Sequence, residues 1–430
     1  MVATTDHRGR PRIVVTGMGV KTPAGLTVDD MWATMLAATP MAGPITLFDT
    51  SEHSVKIACE VRDFDPVPYV GPKEVRRTDR ATLLGLAAAA DAVADAGATP
   101  SDAADGHDDG LAAPRHRRGV VAGSGVGGIR TLEDQVIQYA AKGPMRTSPF
   151  LVPMMMANAP AAMIGIHHGW TGPNIAVATA CATGSNAIGE GTRMVREGLA
   201  DVVVCGGTEA SVAPVAMAAF GRMGALTKRP PEEASRPFDV DRDGFVMGEG
   251  AGFVVLETLE HALARGADIK GEILGYGMTC DAHHITAPLE SGAGMAACME
   301  VALSDAGLEP SAIGHVNAHG TSTPHNEAAE ATALAKVFGD HAVPVTSTKG
   351  VTGHLIGAAG AVEAIAALLA ATTGQVPPTA NHHSCDLPVD VVSGSPRTIA
   401  PGPALSTSFA FGGHNAALVV GPPPDSGATP

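Results

Sequence analysis

Aromatic residues are scarce in this 430-residue chain, at 3% of the sequence, and charged residues make up only 17%. Glycine is abundant, with 52 residues, and 45% of the chain is hydrophobic. A core with few large rings must be filled by small and branched side chains, which lets backbones approach closely. This composition favours an α/β architecture in which helices pack in layers on sheets.

Basic residues are also few. The chain has 28 Lys and Arg against 44 Asp and Glu, a net charge of −16. Nucleic acid is therefore excluded as a main partner, because phosphate binding requires a basic surface. One local cluster of positive charge is present in GPKEVRRTDR, at Lys73, Arg76, Arg77 and Arg80. It is either a solvated helix face or a docking site for an acidic partner.

Paired cysteines are lacking. The six cysteines (Cys59, Cys181, Cys205, Cys280, Cys298, Cys385) include no CxxC pair. We expect reduced thiols in a cytoplasmic protein and not a disulfide framework. The polar start MVATTDHRGRPR has no apolar signal region, and we find no apolar run approaching the ~20 residues of a spanning helix, so no membrane contact is expected.

Short apolar strands alternate with helical patterns along the whole chain. Strands are predicted at 13–20, 201–207, 252–259, 315–320 and 343–350, helices at 80–97, 324–339 and 357–374, and two final strands within 404–421. The alternation favours parallel sheets in two similar halves. We place these halves at residues 12–265 and 266–421. Residues 99–118 are predicted to form a mobile surface loop, and residues 422–430 a disordered tail.

Cys181 lies where a strand-like segment, IAVATA, meets a helical pattern. A thiol at a helix N-terminus is near free N–H groups, which favour the thiolate and lower its pKa. Small neighbours leave room for a substrate. Cys181 is therefore a candidate nucleophile, although many free cysteines are inert core residues.

Two histidines have matching settings. His319 follows a strand and precedes Gly320, and His354 precedes the Ala-rich helix, with Lys349 five residues before it. Residues at strand ends point into the cleft at the carboxyl edge of a sheet, where ligands bind. The other histidine groups, His283–His284 and His382–His383 with Cys385, match no zinc spacing, so no metal is expected. The glycine-rich GSGVGG at 123–128 lacks the acidic residue of a dinucleotide fold and is interpreted as a tight turn beside the cleft.

These motifs together resemble the elongating β-ketoacyl–carrier-protein synthases. The resemblance is carried by TACATGSNAIGEG, VNAHGTSTPHNEAAE, STKGVTGHLIGAAGAVE and SFAFGGHN, in that order. ASRPFDVDRDGFVMGEGAG and DAHHITAP add to it, and the similarity runs from about residue 12 to 421. It implies a thiolase-like five-layer αβαβα sandwich of two related halves, working as a homodimer.

The resemblance also implies a role for individual residues. Cys181, His319 and His354 would be the catalytic residues, with Lys349 beside the second histidine. The other implied residues are Glu330 and Glu363 as buried carboxylates, Thr321 and Thr323 for the phosphopantetheine arm, Phe409 and Phe411 in the gate loop, Asp281 and His284 in a second gating loop, Val126 in the acyl pocket, and Lys73, Arg76 and Arg77 for docking acyl carrier protein. Ala410 departs from the family, which more often has Gly there, and this places the mobility of the gate loop in question.

The implied reaction is a decarboxylative condensation that needs no cofactor. The acyl chain would move from its carrier to Cys181, and malonyl carrier would lose CO₂ and attack it. The main alternative is a ketosynthase subunit of a polyketide pathway, acting as a heterodimer with a related cysteine-free subunit. Two further alternatives are a cysteine hydrolase and a non-catalytic scaffold for acyl carriers. A hydrolase would release free acid, and a scaffold would keep its function after Cys181→Ala.

Overall fold

The computed structural model describes residues 2–99 and 109–424. Most of the predicted loop at 99–118 and of the predicted tail therefore lies outside the described residues. The described end of that loop is not a mobile surface segment, because Leu111 is fully buried and Arg118 pairs with Asp109 at 2.7 Å while it begins a strand.

Within the described residues the chain forms strands and helices in alternation. The strands are β1 (Ile13–Lys21), β2 (Gly43–Pro44), β3 (Ile57–Ala58), β4 (Arg118–Gly123), β5 (Asn174–Val177), β6 (Val202–Glu209), β7 (Gly250–Thr258), β8 (Gly271–Cys280), β9 (His315–Asn317), β10 (Pro344–Thr346), β11 (Gln375–Val376), β12 (Asp390–Val391), β13 (Arg397–Thr398), β14 (Ala404–Ala410) and β15 (His414–Gly421). The helices are α1 (Val28–Leu36), α2 (Val67–Val75), α3 (Arg80–Asp95), α4 (Ile129–Lys142), α5 (Leu151–Met155), α6 (Ala159–His168), α7 (Thr183–Arg196), α8 (Pro214–Arg222), α9 (Leu259–Arg265), α10 (Ala293–Ala306), α11 (Pro324–Phe338), α12 (Lys349–Thr352) and α13 (Ala359–Thr373).

The main sheet has the same strand order in each half of the chain. The first half runs β5-β4-β6-β7-β1 and the second β10-β9-β14-β15-β8, with β12 added at its outer edge. The halves join where β1 pairs with β8 over three positions. In each half the first three strands run parallel, the fourth (β7 or β15) is antiparallel to both of its neighbours, and the fifth runs in the direction of the first three. The prediction of parallel sheets was therefore wrong for these antiparallel strands.

The helices form three layers around the two halves of the sheet. Helices α7 and α13 pack against each other between the halves, α3 and α6 cover the first half, and α10 and α11 cover the second. The result is the predicted five-layer, thiolase-like α/β fold. Small residues make the central layer possible, since a Cβ on Gly184 of α7 would lie 2.5 Å from the backbone nitrogen of Ala361 in α13.

The central helix corrects one expectation about apolar runs. Residues Ile356–Thr373 form an 18-residue stretch that is long and apolar enough, by length and composition, to cross a membrane. However, 83% of it is buried inside the protein. Apart from the buried Glu363, almost all of the stretch is apolar, as expected for a core helix that strands and other helices cover.

Candidate active site

Two similar turns meet where the central helices begin. Cys181 lies in the 3₁₀ turn Ala180–Ala182 before α7, and Gly357 lies in the 3₁₀ turn Ile356–Ala358 before α13. Each turn opens with a residue in the left-handed region, Ala180 at φ 48° and Ile356 at φ 46°. Strain of this kind in non-glycine residues clusters at functional sites. The predicted junction at Cys181 is present, and its thiol is 7% exposed.

The second half of the chain places both histidines beside this thiol. His354 Nε2 lies 2.9 Å from Cys181 Sγ. The ring of His319, which follows β9, meets the ring of His354 edge to face with centroids 5.4 Å apart. The ligand atoms of the three residues lie within 4.8 Å of one another, so they could also hold a metal ion. The search for metal spacing in the sequence missed this possibility because the three residues are far apart along the chain.

Lys349 holds His319 in place by contacts on the side away from the cavity. Its ammonium donates to the backbone oxygen of His319 at 2.6 Å and forms a buried ion pair with Glu363. It also lies 3.4 Å from His319 Nδ1. Because an ammonium can only donate, Nδ1 is the acceptor, and the ring hydrogen resides on Nε2. Burial, followed by Lys349 and His354, lowers the pKa of His319 far below its usual value, so the ring is neutral.

A buried carboxylate on α11 fixes the backbone at the same histidine. Glu330 accepts hydrogen bonds from the backbone N–H groups of His319 at 2.7 Å and Gly320 at 2.9 Å, and from the Thr407 hydroxyl at 3.0 Å. Lys349, Glu363 and Glu330 are not among the residues that line the cavity. The resemblance implied Lys349 beside the second histidine, His354, whereas the hydrogen bonds of its ammonium in the structure are to His319 and Glu363.

The thiol differs from expectation in its pKa. Burial raises the pKa of Cys181 to about 12, and the opposing effects of Lys349 and the Phe411 N–H offset only part of the increase. Burial also lowers the pKa of His354 well below 6.5. The prediction of a lowered thiol pKa was wrong in direction, because it counted the helix terminus and omitted desolvation. In this state a neutral thiol faces a neutral imidazole, so the attacking thiolate must form by proton transfer to Nε2.

The three residues open on an apolar cavity of about 480 Å³. Six of the other predicted residues line it: Val126, Asp281, Thr321, Thr323, Phe409 and Phe411. The two threonine hydroxyls lie 2.8 Å apart. Gly125 also lines the cavity, so the glycine-rich turn after β4 borders the cleft.

The second gating loop contributes only one of its two predicted residues. Asp281 accepts a hydrogen bond from Asn415 Nδ2 at 2.8 Å and another from the Leu289 N–H at 3.1 Å, which ties the loop to β15. His284 is not among the residues lining the cavity. It is exposed, and its Nδ1 accepts from the backbone N–H of Ala287 at 3.0 Å within its own loop.

The gate loop is closed over the thiol. Phe411 stacks on Phe220 with ring centroids 6.5 Å apart, and Phe409 lies 6.2 Å from His319. Ala410 has extended backbone angles, φ −111° and ψ 159°, which alanine adopts without strain. The positive φ values fall on Gly412 and Gly413 instead. The extra Cβ of Ala410 therefore leaves this closed state undisturbed.

The basic cluster on and after α2 is smaller than predicted. Lys73 and Arg76 are exposed, and Arg77 lies over the Phe150 ring at 4.7 Å. Arg80 does not belong to this surface, because it donates to the buried Glu249 at 2.6 and 2.8 Å. Charge alone could not distinguish a docking arginine from one that pairs inside the fold.

Glu209 is a site residue that the sequence analysis missed. This buried carboxylate at the end of β6 accepts from the backbone N–H groups of Gly125 at 2.8 Å and Gly357 at 3.2 Å, and from the Ser124 hydroxyl at 2.8 Å. It thus joins the glycine-rich turn to the turn before α13. The available signal was an acidic residue directly after a buried strand, in VVVCGGTE.

Comparison with known proteins shows which family this chain is similar to. The model of the beta-ketoacyl synthase N-terminal domain matches residues 10–262, and that of the C-terminal domain matches residues 270–383. The chain is 45% identical over 417 residues to 3-oxoacyl-[acyl-carrier-protein] synthase 2 of Synechocystis sp., covering 95% of this chain and 97% of that protein.

Two solved structures extend the comparison. The ishigamide ketosynthase/chain length factor superimposes with a TM-score of 0.88 at 38% identity, covering 96% of this chain and 99% of the other. A type II polyketide-synthase acyl-carrier protein in complex with its ketosynthase, bound to the hexaketide, gives a TM-score of 0.85 at 28% identity, with the same coverage.

Proposed function

This chain belongs to the β-ketoacyl synthase family, whose members are condensing acyltransferases, and we propose that Cys181, His319 and His354 carry out its reaction. That reaction is the decarboxylative condensation of an acyl chain with malonyl carrier protein, which elongates fatty acids. The observation that supports these roles best is the 2.9 Å contact between Cys181 Sγ and His354 Nε2, with the neutral His319 beside it in an apolar cavity.

The first half-reaction loads the acyl chain. Cys181 Sγ transfers its proton to His354 and attacks the thioester carbonyl of the acyl carrier, and the carrier thiol leaves with that proton. The tetrahedral oxyanion accepts hydrogen bonds from the backbone N–H groups of Cys181 and Phe411. A donor of this kind contributes roughly 3 kcal/mol to the transition state. In the structure the Phe411 N–H already opposes the rise in the pKa of the Cys181 thiol, as a donor near the sulfur does.

The second half-reaction forms the carbon–carbon bond. Malonyl carrier loses CO₂, and the electron pair of the broken bond passes into an enolate whose oxygen accepts from Nε2–H of His319. It also accepts from Nε2–H of His354, once that neutral ring has exchanged its Nδ1 hydrogen for one on Nε2. The enolate carbon attacks the acyl carbonyl on Cys181, and the sulfur leaves as thiolate and takes up one proton from solvent. CO₂ release drives the step, so the chain's own residues suffice and no cofactor is proposed.

Acyl carrier protein is the proposed partner. The exposed Lys73, Arg76 and Arg77 would attract an acidic carrier by salt-sensitive electrostatics. Thr321 and Thr323 would hydrogen-bond its phosphopantetheine arm inside the cavity. We also propose a homodimer acting in the cytoplasm, and an N-terminal unit at 12–265 and a C-terminal unit at 266–421.

The polyketide reading remains the second candidate, because one similar structure is a ketosynthase/chain length factor. The relative named 3-oxoacyl-[acyl-carrier-protein] synthase 2 is more similar in sequence, at 45% against 38% identity, and favours the elongating reaction. A cysteine hydrolase fits less well, since it gives no task to a second histidine held by Lys349.

The test supplies acyl carrier and malonyl carrier to the wild type and to Cys181→Ala. We expect CO₂ and a β-ketoacyl product from the wild type and no product from the variant. Release of free acid without CO₂ would indicate a hydrolase. No turnover with fatty acyl carriers, followed by turnover once a cysteine-free partner subunit is added, would establish the polyketide reading instead.

A further inference from the structure

A second cavity, of about 330 Å³, lies at the far end of α7 from Cys181. The C-terminal half of α7 forms one wall, β8 contributes Tyr276, and the segment before β1 contributes Arg10. No residue of this wall lines the catalytic cavity. The two cavities are therefore separate sites at opposite ends of one buried helix.

Arg196 gives this cavity its chemical character. Its side chain is 10% exposed, and its Nε is buried without a hydrogen-bond partner in the described part of the chain. Its ion contact with Asp305 is long, at 3.4 Å. Because Nε is closed off, the donors that a ligand could reach are the terminal nitrogens, one of which makes only the long contact with Asp305. A largely buried guanidinium that is weakly paired is stabilised when an anion adds hydrogen bonds to these nitrogens.

The nearby carboxylate is already committed to other groups. Asp305 binds Arg10 at 2.6 Å and accepts from the backbone N–H of Tyr276 at 3.1 Å. A further carboxylate, Glu197, belongs to the cavity wall but is exposed to solvent. The cavity lining thus holds three arginines, Arg10, Arg193 and Arg196, against two carboxylates, Asp305 and Glu197, and Asp6 pairs with Arg10 at 2.7 Å from outside the lining.

The remaining wall is rigid and carries another cation. Arg193 lies over the Tyr276 ring at 5.0 Å and contacts Glu190 at 3.0 Å. The Tyr276 hydroxyl accepts from Asn186 Nδ2 at 2.7 Å, and a Cβ on Gly189 would lie 2.4 Å from the Tyr276 ring. The cavity is thus held open by close packing and needs no rearrangement of Tyr276 to admit a ligand.

We propose that this cavity, the Arg196 cavity, binds a small anion that carries a carboxylate or phosphate group. Guanidinium groups match the geometry of both groups, because their N–H donors are arranged as a planar fork. The volume suits a compact anion and is separate from the space available to the acyl chain. The inference does not depend on the proposed reaction.

The test follows thermal unfolding of the full chain as phosphate or citrate is added, with ionic strength held constant by sodium chloride. A ligand that binds only the folded state raises Tm in a saturable manner. We expect a saturable rise with at least one of the two anions. A response to citrate alone assigns a carboxylate ligand, and a response to phosphate alone assigns a phosphate.

Matched variants locate the binding. Arg196→Met keeps the apolar stem and removes the charge, and the rise should disappear. Arg397→Met removes a cation from an exposed ion pair with Asp390, and the rise should remain. If Arg196→Met does not fold, the half-exposed Arg193→Met replaces it, and binding should weaken several-fold. No saturable rise above chloride, or an equal rise when the cavity arginine is removed, overturns the proposal.

Discussion

The two halves of this protein share one scaffold and use it differently. In each half a strained 3₁₀ turn precedes a central helix. The turn begins at Ala180 in the first half, where it follows β5, and at Ile356 in the second half, where the short helix α12 lies between β10 and the turn. The first turn presents the Cys181 thiol. The second presents Gly357, whose N–H binds Glu209 and whose missing side chain leaves room for the neighbouring turn. The repeated backbone therefore places equivalent residues at the start of each central helix, and the side chain at that position decides whether a reactive group is present.

The loops that follow the equivalent strands β4 and β9 also differ in their side chains. The loop after β4 in the first half ends in glycines, and the equivalent loop after β9 in the second half carries His319. Since the strand orders are identical, both loops lie at the same edge of their half-sheets. In the proposed reaction, one half therefore supplies the nucleophile and the other supplies the hydrogen-bond donors, and these residues come together where the halves meet.

The largest effect on activity is expected from an alanine substitution at one of the two equivalent turns, and the same substitution at the other turn should affect stability instead. Cys181→Ala should reduce condensation roughly 1,000-fold or more while the free energy of unfolding changes little, because it removes only the nucleophile. Gly357→Ala should instead lower stability, since its Cβ would lie 2.5 Å from the Gly125 nitrogen. Product formation and urea unfolding measure the two effects. Cys205→Ala is the control for removal of a buried thiol and should keep activity. Equal loss of activity in Cys181→Ala and Cys205→Ala would contradict the assignment.

The next effect concerns the buried ion pair that supports His319. Lys349→Met leaves Glu363 without its partner, which should destabilise the fold by about 3–5 kcal/mol and slow CO₂ release. The double variant Lys349→Met/Glu363→Gln should recover part of the stability but not the rate, since His319 still lacks its Nδ1 donor. Urea unfolding and CO₂ release report on each separately. Recovery of both would show that Lys349 acts on stability alone.

The sequence predicts those features of the fold and the site that depend on residues close together along the chain. The strand at 13–20 and the helices at 80–97 and 324–339 agree with the structure within a few residues, because periodicity and caps are properties of a short segment. The contact of Cys181 with His354 joins residues 173 positions apart and came only from the resemblance. Three other features depend on burial, which a short segment of sequence does not determine. They are the raised pKa of Cys181, the ion pair of Arg80 with the buried Glu249, and the hydrogen bonds of Glu209.

A smaller effect should separate the surfaces of the two halves. Lys73→Glu, on the proposed docking surface in the first half, should raise KM for the acyl carrier about tenfold with little change in kcat, and the effect should shrink at high salt. Lys336→Glu makes the same charge change on an exposed residue of the second half and should leave KM unchanged. Steady-state kinetics at low and high salt provide the measurement. An equal rise in both variants would mean that only net charge matters.

The smallest effect is a pH dependence shared by both halves. Burial raises the pKa of Glu209 and of Glu327 to about 7. A carboxyl whose folded pKa exceeds its unfolded value stabilises the fold at low pH and loses that contribution as pH rises through the folded pKa. Between about pH 5 and 8, the free energy of unfolding should therefore fall less steeply in Glu327→Gln than in the wild type, by on the order of 1–3 kcal/mol. Urea unfolding at several pH values measures both slopes, and equal slopes would refute the assignment.

The division of labour between the halves is tested most directly by CO₂ release from malonyl carrier in Cys181→Ala and His319→Ala, with folding checked by circular dichroism. If the second half stabilises the enolate without the thiol, Cys181→Ala should still release CO₂ within about tenfold of the wild-type rate and form no β-ketoacyl product. His319→Ala should lose CO₂ release by roughly 100-fold or more. Equal loss of CO₂ release in the two folded variants would contradict the account, because decarboxylation would then depend on the thiol.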